Sequence, residues 1–101
     1  MMIKREVVLT GSTDDTLTRL VDLYRRATGT RLSTSHVVRI MLRGVAHCMD
    51  SVQREAVRIG RRKLPANAPG HEAERERFEH RLAQAFVNGM RAAASLDADE
   101  T

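Results

Sequence analysis

Two periods run through the apolar positions of this chain. In Lys4-Arg5-Glu6-Val7-Val8-Leu9-Thr10 the pattern is close to alternation, with Val7 and Leu9 on one face and Lys4, Glu6, Val8 and Thr10 on the other. A short, β-branched, alternating run predicts a β-strand. Val7 and Leu9 are its expected buried face, because the opposite choice would bury Glu6. A lone strand leaves its backbone N–H and C=O groups unpaired. Its expected partner is the same strand of a second copy, giving a two-fold antiparallel ribbon of a size that fits the DNA major groove.

Beyond Gly11-Ser12-Thr13 the period becomes helical. A first helix is predicted over Asp14–Thr28, with Ser12 or Thr13 as its cap and Leu17, Leu20, Val21 and Tyr24 as its apolar stripe. Arg25 and Arg26 fall in its last turn, and Gly29 is its expected terminator. Ser33 is placed to cap a second helix. There Val38, Met41, Leu42, Val45 and Met49 make one face, which Val37, Ile40 and Cys48 widen. The seam Val38, Leu42, Val45, Met49, Val52, Ala56 and Ile59 crosses Asp50-Ser51 without a phase slip and predicts one helix over 34–62. Asp50-Ser51-Val52-Gln53 also reads as a fresh helix start.

The expected organisation is therefore a module over 1–49 and a continuation or short helix over 50–63. A Pro- and Gly-bearing linker over 64–70 follows, then an amphipathic helix over 71–94 and a disordered tail over 95–101. Phe78, Leu82, Ala85, Phe86, Met90 and Ala93 form the stripe of the last helix. The expected fold class is mainly α, with one N-terminal strand and a C-terminal helical extension.

Composition narrows the function. With no Trp, one Tyr and two Phe, a chain of 101 residues has little material for a large core, which favours oligomerisation. The single cysteine, Cys48, excludes an intramolecular disulfide; His47 beside it lacks the i+3 or i+4 partners a metal site needs. No Walker-type loop, nucleophile elbow or paired catalytic constellation is present, so neither enzyme activity nor a cofactor is expected. No apolar run has the length of a membrane span, and the N-terminus lacks a signal-peptide core, so a soluble cytoplasmic protein is expected. The net charge of +4 is uneven: residues 1–70 carry 13 basic and 6 acidic side chains, residues 71–101 carry 4 and 7. A basic front suggests a polyanionic partner.

The order of strand, helix, Gly-ended turn and Ser-capped helix, with the stretch Gly29-Thr30-Arg31-Leu32-Ser33-Thr34-Ser35-His36-Val37-Val38-Arg39, resembles the ribbon-helix-helix (MetJ/Arc-like) family of DNA-binding proteins over about residues 3–49. His36 departs from it, since the family often has an acidic residue there, and the strand-to-helix connection is longer than usual. The resemblance implies an obligate homodimer on double-stranded DNA, with paired strands in the major groove and a phosphate at the N-terminus of the second helix. On that reading Lys4, Glu6, Val8 and Thr10 face the bases, and Arg31, Ser33, Thr34 and Ser35 meet phosphate. A register shifted by one makes Arg5 a reader or phosphate contact instead. The expected function is a sequence-specific transcriptional repressor. An antitoxin whose C-terminal helix holds a toxin, or a plasmid or phage relaxosome or partition factor, is the alternative. The last helix is expected to build a higher oligomer or to bind another protein.

Overall fold

The computed structural model describes residues 1–100, with side chains as far as Leu96. It contains three helices, α1 (Gly11–Thr28), α2 (Thr34–Ile59) and α3 (Glu72–Glu100). No β-strand is present among the described residues, which overturns the expected strand over Lys4–Thr10 and with it the ribbon-helix-helix fold class. The physical reason is that a strand is defined by its partner. No backbone hydrogen bond joins residues 1–9 to any other described residue. Alternating β-branched residues express a fit to a pleated, half-buried surface rather than an intrinsic backbone state, and the chain supplies no such surface. Val7 and Leu9, the expected buried face, are 76% and 43% exposed.

The chain divides into two compact units, Met1–Arg43 and Gly44–Thr101, with the boundary inside α2. In the first unit α1 begins three residues earlier than the apolar stripe indicates, because Thr10 is its cap in place of Ser12 or Thr13. The Thr10 hydroxyl accepts from the Thr13 N–H at 3.2 Å, and the Thr10 carbonyl takes the Asp14 N–H at 2.9 Å. Gly29 ends the helix as expected. It adopts the left-handed conformation (φ 63°) and donates its N–H to the Arg25 carbonyl at 2.9 Å. The Arg25 Nε then donates to the Leu32 carbonyl at 2.6 Å, tying the helix to the turn that follows it. Val21 (5% exposed) and Val37 (0%) form the core of this unit, with Leu17, Leu20, Tyr24 and Val38 half-buried beside them.

α2 is one helix through Asp50-Ser51, as the unbroken heptad seam predicts. It stops at Ile59, short of the expected Arg62, because Gly60 turns left-handed (φ 76°) and bonds back to the Val57 carbonyl at 3.0 Å. In the second unit α3 runs antiparallel to the later part of α2: Gly89 lies against Val52, while Ala93 and Leu96 share a shallow depression with Ala46–Ser51. The approach is close enough that a Cβ on Gly89 would stand 2.6 Å from the Val52 Cα. Ala85, Gly89 and Ser51 are buried on this seam, and the Ser51 hydroxyl accepts from Arg54 Nη2 at 3.1 Å. Of the stripe expected on α3, Ala85 is buried and Phe78, Phe86 and Ala93 are half-buried, whereas Leu82 and Met90 are 41% and 37% exposed. Small residues rather than the phenylalanines set this packing. The backbone of the expected disordered tail is helical from Ser95 to Glu100, and Thr101 lies outside the described residues.

Candidate nucleic-acid interface

Free backbone N–H groups at a helix start attract anions, so what each helix places there is informative. α1 has the Thr10 hydroxyl and Asp14 at its start. α3 has Glu72 and Glu74, and the Glu72 carboxylate takes the Gly70 N–H at 2.9 Å. α2 alone of the three has no acidic side chain in its first turn.

The start of α2 is held by a reciprocal pair. The Ser33 hydroxyl accepts from the His36 N–H at 3.2 Å, and the Ser33 N–H donates to His36 Nδ1 at 3.2 Å. This is a capping box in which an imidazole does the work usually done by Glu or Gln. His36 therefore stands where a capping box usually has a carboxylate or carboxamide. The exchange leaves the helix start without a negative charge. The N–H groups of Thr34 and Ser35 have no acceptor among the described residues, and both side chains are exposed. Arg31 is exposed two residues before the cap, on the turn that Arg25 ties down. Arg31, Ser33, Thr34 and Ser35 are thus brought together, as expected, at one helix end.

The expected base readers lie elsewhere. Lys4, Arg5, Glu6 and Val8 are exposed on the N-terminal arm, residues 1–9, and no hydrogen bond or ion pair joins them to α1 or α2 among the described residues. Thr10 is in a different situation from its neighbours. Its hydroxyl is engaged in capping α1, at 2.8 Å from the Thr13 hydroxyl and 3.2 Å from that of Ser12. Reading Thr10 from an alternation pattern missed this role; its spacing of three from Thr13, just before a helical period, is the signal that reveals it.

Charge separates the two units. Residues 1–43 hold eight basic and four acidic side chains, a net +4, whereas residues 44–101 hold nine of each. All the net charge of the protein therefore belongs to the unit with the anion-free helix start. Among the described residues there is no group of three His, Cys, Asp or Glu side chains arranged to hold a metal ion. No helix of the described residues is long and apolar enough to cross a membrane. No protein-family model matches the chain, and no curated protein or solved structure does.

Proposed function

We propose that this is a sequence-specific double-stranded DNA-binding protein that works as a homodimer and regulates transcription. The observation that carries the reading is the first turn of α2, free of any anion of its own and set in the unit that holds the whole net charge. A DNA phosphate there accepts from the Thr34 and Ser35 N–H groups and hydroxyls, with Arg31 beside it, while Ser33 and His36 keep the helix start in place. The arm supplies Lys4 and Arg5 for base edges or further phosphates. A second copy is needed because the first unit buries only two apolar side chains well, Val21 and Val37, while Val7, Val8 and Leu9 stay exposed.

Selection of bound duplexes from a random pool, followed by salt titration on the selected sequence, tests the reading. Recovery of a two-fold related motif is expected, with affinity falling steeply between about 50 and 200 mM salt as counterions are released. Replacing Ser35 with Ala weakens binding on every sequence alike, and Lys4→Ala relaxes the sequence preference. A flat salt response overturns the proposal.

A further inference from the structure

A second basic surface exists, in the unit that carries no net charge. Arg54, Arg58, Arg61, Arg62 and Lys63 follow one another in ten residues at the end of α2 and the start of the loop, with Glu55 the one acidic side chain among them. All five cations are exposed. α3 provides an internal comparison for an ordinary solvated helix surface. Its first turns balance the two signs, with Glu72, Glu74, Glu76 and Glu79 beside Arg75, Arg77 and Arg81, and three pairs form there: Glu72 with Arg75 at 3.9 Å, His71 with Glu74 at 3.4 Å and Glu76 with His80 at 3.3 Å, the histidine pairs being ionic when the imidazole is protonated. The α2 cluster is built differently. It sets five cations against one acid, where the first turns of α3 set three arginines against four glutamates. Arg58 pairs with Glu55 at 3.3 Å yet stays 77% exposed, Arg54 reaches the Ser51 hydroxyl, and Arg62 caps the Ile59 carbonyl at 3.3 Å. Arg61 and Lys63 have neither hydrogen bond nor ion pair among the described residues. The helix dipole does not require this density, since α3 has no basic residue in its last turn at all.

We infer that residues 54–63 form a second phosphate-contacting surface, which adds sequence-independent affinity for double-stranded DNA to that of the first unit. The inference rests on the DNA-binding reading above and extends it to the second unit. Five cations against one acid match the anionic backbone of a duplex, which presents roughly one negative charge per 1.7 Å of its axis. Contacts of this kind position a protein without reading bases.

The test compares three full-length proteins by fluorescence anisotropy on a labelled selected duplex across a salt series. They are the unaltered chain, the variant Arg58→Gln/Arg61→Gln/Lys63→Gln, and the control Arg77→Gln/Arg81→Gln/Arg91→Gln. Both triple variants lose the same charge from exposed positions; neither touches Arg54 or Arg62, which bond to Ser51 and to the Ile59 carbonyl, and the exposed Arg58–Glu55 pair is the one contact removed. Circular dichroism and sedimentation establish that helix content and assembly are retained. The α2 variant is expected to lose up to about 2.7 from the slope of log affinity against log salt, about 0.9 for each phosphate contact removed. Its preference for the selected sequence over a scrambled one stays the same, and the α3 control loses much less slope. Equal slopes for the α2 variant and the unaltered chain overturn the inference and leave the DNA-binding reading standing. Equal losses in both triple variants overturn it as well, because they assign the effect to overall charge. An unchanged slope with a shift in sedimentation overturns it in favour of a second copy's acidic α3. Failure of the unaltered chain to bind any duplex at 50 mM salt overturns the DNA-binding reading itself.

Discussion

Residues 1–43 and the unit that begins at Gly44 share the same local parts. In each, a helix ends at a left-handed glycine, Gly29 (φ 63°) or Gly60 (φ 76°), and an irregular connection leads to the next helix start. In each, one arginine gathers the carbonyls of that connection: Arg25 takes Leu32 at 2.6 Å, and Arg75 takes Ala66 at 2.7 Å and Ala68 at 3.2 Å. The contacts between helices differ. The first unit centres on two β-branched valines and leaves a cationic, anion-free helix start. The second brings backbone close to backbone at Gly89, with Ala85 buried nearby in α3, and carries equal numbers of both charges. Shared turn chemistry therefore does not determine what a helical hairpin is for. The side chains between the helices and at their ends do.

Three substitutions press on this contrast. The largest effect is expected from Val37→Ala, which leaves a void where the side chain is 0% exposed. About 2 kcal/mol of stability should be lost, with a fall in Tm of roughly 10 °C for a chain of this size. A loss below about 0.5 kcal/mol in chemical denaturation would show that the valine pair does not hold the first unit together.

Gly89→Ala comes next. The added methyl meets the Val52 backbone at 2.6 Å, so the helices must part. Overpacking of this kind costs roughly 1 to 3 kcal/mol, of which the better helix propensity of alanine returns up to about 1. A net loss of up to about 2 kcal/mol is expected by thermal or urea unfolding. The smallest change, and the opposite sign, is expected from Gly44→Ala. Gly44 is likewise inside a helix, α2, but a Cβ there meets nothing within 4 Å, so only the propensity gain of about 0.5 to 1 kcal/mol remains. Equal effects from the two glycine substitutions would remove close approach as the basis of the second unit.

The helix boundaries show what could be read in advance. Gly29, Ser33 and the run from Pro65 to Gly70 punctuate the chain where residue type alone indicates a stop or a start, and the helices conform to them. That Arg31 and Ser33–Ser35 meet at the start of α2 is legible for the same reason, since they are neighbours in sequence. His36 was visible as a departure but not as a cap, because an imidazole accepting an N–H at a helix start lies outside the usual Glu or Gln pattern. Alternation with Val8 places Thr10 on the outward strand face in the sequence reading. The capping geometry claims its hydroxyl instead.

By itself, then, the linear order of residues determined the three helices, three of their six ends, the uneven charge and the anion-free start of α2. Each depends on groups within a few residues of one another, so local chemistry suffices. Only the tertiary structure decided the fate of residues 1–9, the face of α3 that is covered and the close contact at Gly89. Pairing and packing require groups far apart in the chain to meet, and a period of two or of seven names a face without naming what lies opposite it. The apolar alternation from Lys4 to Thr10 is there in the sequence, but among the described residues no strand lies beside it.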